Sequence, residues 1–242
     1  MRDYAALQAR CGALESPACR VDAFGRSEGY DLMRLHLPGA GPAVLLTGGI
    51  HGDEPAGPEA LLAFVEKRAA RWKDAFSFLV LPCLNPWGYV HDKRETVDGE
   101  DLNRGFESDS LEAVGLLRRL LDGQRFVLHH DLHEDWEAKG FYFYEGQKDQ
   151  RFIAPQVIGR VGDVGPIDPE SEAEEEADDR ICFGAYEVAR SWGQSGFVPY
   201  TLHHCTDHGL ISETPTSWPM EQRVAAHLET LDTALEHHAA TR

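Results

Sequence analysis

Apolar and polar positions change period several times along this chain, and the changes mark out its elements. Tyr30 to Leu37 (YDLMRLHL) alternates, with Leu32, Arg34 and His36 opposite Met33, Leu35 and Leu37, and predicts a strand. After the turn LPGAGP, AVLLTGG is an apolar run bounded by turn residues and predicts a buried strand. Pro55 and Pro58 stand where a helix can begin, and EALLAFVEKRAARW places Leu61, Leu62, Val65 and Ala69 at helical spacing. FSFLVLP then reads as a strand dense in β-formers. Strand, helix, strand in that order predicts an α/β sheet with helices packed on it.

Asn85 to Phe106 (NPWGYVHDKRETVDGEDLNRGF) holds too many turn residues for a regular element and reads as a long loop, which in a compact domain points to function or disorder. Ser110 is the expected cap of LEAVGLLRRLLDG, whose Leu111, Val114, Leu117 and Leu121 share a face, with Gly123 past the end. RFVLHHDLH predicts a strand ending in histidines and acids, with GFYFYEG as its neighbour. ICFGAYEVARSW reads as helix-like, GFVPYTLHH and HGLISETP as strands, and WPMEQRVAAHLETLDTALEHHAA as a helix with Val224, Leu228, Leu231 and Leu235 in its apolar stripe. There is no internal repeat and no linker with a core-sized segment on each side, so residues 1–242 are expected to form one domain.

With 242 residues, 42% of them hydrophobic, the chain can bury a sizeable core. Its 41 Asp and Glu outweigh 23 Lys and Arg, giving a formal charge of -18 that argues against nucleic-acid or anionic-membrane binding. Much of the excess lies between Gly162 and Asp179, where Pro169 to Asp179 is acidic and poor in apolar residues and reads as an exposed loop or flap. The start, MRDYAALQARCGALES, is amphipathic and lacks the basic flank and unbroken apolar core of a secretory signal. Five scattered cysteines without a C-x-x-C pair suit a reducing cytoplasm, the expected location. Cys205, in HHCTDH, is read as buried or incidental.

The chemistry begins at TGGIHGDEP, Thr47 to Pro55, where a turn of small residues delivers His51 and Glu54 with two residues between them. An imidazole and a carboxylate so spaced can converge on one point, and zinc accepts both; a plain surface turn is the competing reading. In the strand FVLHHDLH, His129, Asp131 and His133 point to one side and His130 to the other. A third ligand from this end, His133, would complete the two-His, one-Glu set that leaves zinc a position for water.

The loop adds Asn85-Pro86-Trp87-Gly88, Arg94 and GEDLNRGF. In that order the strings resemble the carboxypeptidase A-like zinc metallocarboxypeptidases, whose pattern runs H-x-x-E, N-P-x-G, an Arg, D-x-N-R, a later His and finally a Glu. R-x-x-x-x-G-x-D-L-N-R is similar to the small bacterial murein peptide amidases, and D-L-N-R with D-L-H to the succinylglutamate desuccinylase and aspartoacylase branch. The resemblance spans His51 to Glu213 and implies a central mixed, largely parallel β-sheet flanked by helices in a three-layer sandwich. It also implies one Zn2+ per chain on His51, Glu54 and His133, with Asp101 orienting His51 through its other ring nitrogen. Asn103 and Arg104 would hold a terminal carboxylate, Arg94 would stabilise the oxyanion, and Glu213, in LISETP, would be the general base.

Amide hydrolysis needs just those parts: an activated water, a sink for charge on the carbonyl oxygen, and a proton for the leaving amine. An Arg grips a carboxylate with two parallel hydrogen bonds that Lys cannot reproduce. Taken singly, Arg94 and Arg104 are also ordinary ion-pair partners, Asn103 a turn residue and Glu213 a solvated acid. The family's substrate-capping Tyr has no fixed counterpart, with Tyr200 and Tyr186 as candidates. Glu134 and Asp135, following His133, either favour a basic substrate group or face solvent. The expected activity is a cytoplasmic metallopeptidase of the carboxypeptidase class acting on short peptides with a free carboxylate. The alternatives are an N-acyl amino acid deacylase and a non-catalytic carboxylate-binding module.

Overall fold

The computed structural model describes residues 1–107, 111–148, 151–168, 180–182, 185–188 and 196–241. Among them are strands β1 (Arg20–Ser27), β2 (Tyr30–Leu37), β3 (Ala43–Gly48), β4 (Ser77–Leu81), β5 (Phe126–Asp135), β6 (Tyr142–Gln147), β7 (Arg180–Cys182), β8 (Ala185–Val188) and β9 (His208–Pro215). They form one sheet in the order β1-β2-β4-β3-β5-β9-β6-β8-β7. Its middle, β4-β3-β5-β9, is parallel, and β1-β2, β2-β4, β9-β6 and β8-β7 are antiparallel. The expected mixed, largely parallel centre is therefore what the chain builds.

Helices α1 (Tyr4–Ala13), α2 (Ala56–Lys67), α3 (Pro86–His91), α4 (Glu112–Leu121), α5 (Ala154–Val161), α6 (Phe197–His204) and α7 (Met220–Ala240) cover it. Because β3 is buried on both faces, its run reads as continuous apolar sequence. Val44 and Leu46 enter one core with residues of α1, α2, α5 and α7, while Leu45 enters the other with Leu117 of α4 and Phe197 of α6. The α7 stripe buries Leu228, Leu231 and Leu235, with Val224 partly buried at its edge. Among the described residues no helix is long and apolar enough to cross a membrane.

Four local expectations fail. GFYFYEG does not neighbour β5: β9, last in sequence, inserts between β5 and β6 and pairs with both. GFVPYTLHH is not a strand but α6; Pro199 sits in the first turn, where its missing N–H costs nothing, and Phe197 and Val198 are buried. The described residues of ICFGAYEVARSW are strand and not helix: Ile181 and Cys182 in β7, and Ala185–Val188 as β8, extend the sheet beyond β6, and pairing decides what a short apolar run leaves ambiguous. The loop after Asn85 is also more regular than expected, holding α3 and a 3-10 turn at Arg104–Glu107. Strand β1 was not anticipated, since its half-exposed positions carry little alternation. Ser110 and Pro169 to Asp179 lie outside the described residues, and α4 starts at Leu111 without a side-chain cap.

Candidate metal centre and its cavity

The turn after β3 works because two of its glycines cannot be replaced. Gly49 has φ +60, and a Cβ on Gly52 would stand 2.1 Å from the backbone of Gly88, so the turn lies directly against α3. That contact carries His51 and Glu54 to the carboxyl end of the parallel strands, where β5 delivers His133.

The three side chains are at most 4% exposed, and one donor atom from each lies within 4.8 Å of the others. Glu54 Oε1 is 2.7 Å from His51 Nδ1, Glu54 Oε2 is 2.9 Å from His133 Nδ1, and the two Nδ1 atoms are 3.1 Å apart. Burial alone would pull both imidazoles down, yet the Glu54 carboxylate raises His51, and Glu54 with Asp131 raises His133. Burial would raise Glu54, and the two imidazoles hold it well below the usual carboxylate range. Glu54 Oε2 and His51 Nε2 are buried without a hydrogen-bond partner. Two nitrogens and a carboxylate converging at such distances, with a buried oxygen left unsatisfied, fit a divalent cation, and the donor set suits zinc.

Behind His133 runs a buried chain of hydrogen bonds. His133 Nε2 is 3.0 Å from Asp131 Oδ2, and Thr47 donates to Asp131 Oδ1 at 2.6 Å. With its only hydrogen committed, Thr47 Oγ1 accepts from His129 Nε2 at 2.8 Å, and His129 Nδ1 is 2.7 Å from the Thr201 hydroxyl of α6. This direction puts a hydrogen on His133 Nε2, which leaves Nδ1 as the lone pair aimed at Glu54 and His51. Burial takes His129 down to about 4, so this imidazole is neutral. The alternation of β5 indicated that Asp131 and His133 share a side, but not that Asp131 sets the tautomer.

The opposite face of β5 carries a second network. His130 Nε2 and His227 Nδ1 each lie 2.8 Å from Ser212 Oγ, and His227 Nε2 is 3.3 Å from Thr214 Oγ1. Burial pushes His130 well down and His227 to about 3.

Asp101 Oδ1 is 3.4 Å from His51 Nε2. Its Oδ1 also accepts from the backbone N–H of Asn103 and Arg104, at 2.9 and 3.2 Å. Burial opposes ionisation, but His51 and Arg94 keep this carboxyl well below its ordinary value. Arg94 donates to Asp101 Oδ2 from Nε and Nη2, at 3.3 and 3.2 Å, and its Nη1 is 3.4 Å from Glu54. The N-P-x-G string explains itself: Asn85 caps α3 by accepting from Gly88 N at 2.8 Å and donates to the carbonyls of Arg94 and Glu95. Asn103 accepts from Phe197 N at 2.7 Å at the start of α6, so its amide oxygen and not its NH2 makes that bond.

These residues surround a cavity of about 400 Å³ whose walls include Arg94, Asn103, Arg104, Asp135, Trp136, Tyr142, Tyr144 and Glu213. A cleft of about 470 Å³ near the other end of β5, lined by Arg118, Arg119, Arg125 and Tyr200, holds none of the predicted metal-ligating, catalytic or carboxylate-binding residues. Glu213 is opposite His133 in the β5-β9 ladder and opposite Tyr142 in the β9-β6 ladder. Burial lifts its carboxyl to about 8; His133 pulls it down and Glu54 pushes it up.

Tyr200 is not at the cavity: it packs on Phe106 and under the Arg118 guanidinium, and the side chain of Tyr186 lies outside the described residues. Tyr142 and Tyr144 line the wall instead. Their alternation in GFYFYEG was visible, but which strand they would face was not. Glu134 does not face solvent: buried in the cavity wall, it caps α2 at Ala56 N and pairs with Arg223. Cys205 is buried as expected, its thiol raised to about 11 by burial.

Residues 40–152 match the model of the succinylglutamate desuccinylase/aspartoacylase catalytic domain. Cytosolic carboxypeptidase 3 of Bos taurus is 30% identical over 116 residues, 42% of this chain and only 12% of that protein's length. A solved structure of a candidate metallopeptidase from Shewanella amazonensis superposes with TM-score 0.79 at 23% identity, covering 98% of this chain and 92% of that one. A metallo-carboxypeptidase from Burkholderia cenocepacia gives 0.72 at 19% identity, covering 97% and 68%. The chain thus shares the fold of these structures, and its residues 40–152 are similar to the succinylglutamate desuccinylase/aspartoacylase catalytic domain.

Proposed function

We propose that this chain is a zinc-dependent hydrolase that cleaves an amide next to a free carboxylate, removing the C-terminal residue of a short peptide. The observation that carries the reading is the buried His51, Glu54 and His133 cluster with Glu213 in register beside it in one cavity. Zinc held there would supply a Lewis acid for the carbonyl and lower the pKa of water to about 7. Asp101 and Asp131 hold the two imidazoles with their Nδ1 atoms turned inward. Glu213, ionised beside the bound cation, takes a proton from the attacking water and returns it to the leaving nitrogen. Arg94, tethered to Asp101, presents positive charge to the carbonyl oxygen as charge develops. Asn103 and Arg104 clamp the substrate carboxylate.

Deacylation of an N-acyl amino acid is the second reading, favoured by the match over residues 40–152. Mass spectrometry of a mixed pool of peptides and acyl amino acids, incubated with and without chelator, decides between them. Chelator-sensitive release of C-terminal amino acids supports the first. Turnover of acyl amino acids alone selects the second, and no turnover by zinc-loaded protein overturns both.

A further inference from the structure

Asp135 and Trp136 follow the third metal ligand by two and three residues, and the mechanism uses neither. Both line the cavity. Asp135 has no cationic side chain within 4 Å among the described residues, and its carboxylate is oriented instead by neutral donors. Tyr142 Oη donates to Oδ2 at 2.8 Å, and Glu137 N donates to Oδ1 at 2.8 Å. The other acids of the cavity wall are committed: Glu54 to the metal ligand cluster, Glu134 to Arg223, and Glu213 to the proposed proton transfer. Trp136 is 78% exposed, one of few large apolar side chains in water, and among the described residues no ring or cation is stacked on it. An indole left in water at the rim of a cavity marks a surface awaiting a ligand.

A carboxylate fixed by neutral donors beside an open aromatic face is the chemistry that receives an organic cation, through charge and through the ring quadrupole. Arg104, the proposed clamp for a carboxylate, lines the same cavity as Asp135 and Trp136.

We infer that Asp135 and Trp136 form a subsite for an ammonium or guanidinium group, so that the favoured substrate carries a cation as well as its clamped carboxylate. This rests on the hydrolase reading for its place in catalysis, but the subsite is testable by binding alone.

The experiment compares dipeptides and tripeptides that carry Lys or its uncharged isostere norleucine at each position in turn, with zinc-loaded protein. At one position the parent should favour Lys in kcat/KM by about tenfold or more, the scale of a desolvated charge pair. Asp135→Asn, which keeps an oxygen for the Tyr142 hydroxyl, should bring that ratio close to one, and Trp136→Ala should lower it by roughly threefold. The ratio should also shrink as salt rises. Equal rates for Lys and norleucine at every position, or a ratio unchanged in Asp135→Asn, overturn the subsite. Should nothing be cleaved, the hydrolase reading fails, and calorimetric binding of the same pairs still decides: a Lys preference lost in Asp135→Asn supports the subsite, and its absence overturns it.

Discussion

The two faces of β5 carry nearly the same parts and have different fates. On one face His129, Thr47, Asp131 and His133 run in a line; on the other His130, Ser212, His227 and Thr214 do the same. Each has two imidazoles joined through a hydroxyl, and each is buried. The difference is the carboxylates. On the first face the line ends on Asp131 and then, through His133, on Glu54, so charge can be held there and donors converge on a point open to the cavity. The second line, among the described residues, contains no acid and leaves His130 Nδ1 buried without a partner, and burial lowers both its imidazoles; it joins α7 to the sheet through His227. A buried histidine cluster becomes a candidate site through its convergence and its counter-charge, and not through the count of imidazoles.

Substitutions can break or sharpen that contrast. The largest expected effect is in the cavity: Glu213→Gln should lower kcat by about 10²- to 10⁴-fold while bound zinc, measured by elemental analysis, stays stoichiometric. Asp131→Asn should weaken zinc by about 10- to 100-fold in chelator competition, since the tautomer of His133 is no longer enforced. His227→Gln on the second face should leave zinc affinity alone and lower thermal stability, by about 1 to 3 kcal/mol in denaturant unfolding. Equal effects of Asp131→Asn and His227→Gln on zinc would erase the distinction between the faces.

A smaller effect appears in the pH dependence of the metal-free protein. Glu213 is raised from 4.5 to about 8, so the folded chain holds a proton that the unfolded chain releases between those values. Stability attributable to this group is therefore full below about pH 4.5 and is lost as pH rises toward 8. Unfolding of the metal-free parent and of Glu213→Gln, followed across that window, should show the parent losing about 1 to 3 kcal/mol relative to the variant. A constant difference would show that Glu213 titrates normally.

Much of the site was legible in the sequence because its residues sit at the ends of strands that announce themselves. AVLLTGG and FVLHHDLH read as buried strands, and parallel strands side by side put their carboxyl ends, and so His51, Glu54 and His133, together. The order of the short strings supplied Asp101, Arg94, Asn103 and Glu213. What stayed hidden depends on contacts between distant segments. Tyr142 could not be placed at the site while β6 was taken as the partner of β5, because the true neighbour, β9, lies more than sixty residues on. The bond from Phe197 to Asn103 was invisible while Phe197 was assigned to a strand. Glu134 and Asp135 are adjacent and chemically alike, and only the fold gives one to Ala56 N and Arg223 and the other to Tyr142.

The register of β9 against β5 has one more consequence. The proposed proton carrier is mounted on a central strand, hydrogen-bonded along both sides, and moves only if the sheet moves. No hinge has to deliver it, so the rate of assembly at this centre is set by arrivals from outside: the ion, the water and the substrate. Variation in what the protein accepts can then accumulate in the rim without disturbing the alignment beneath it.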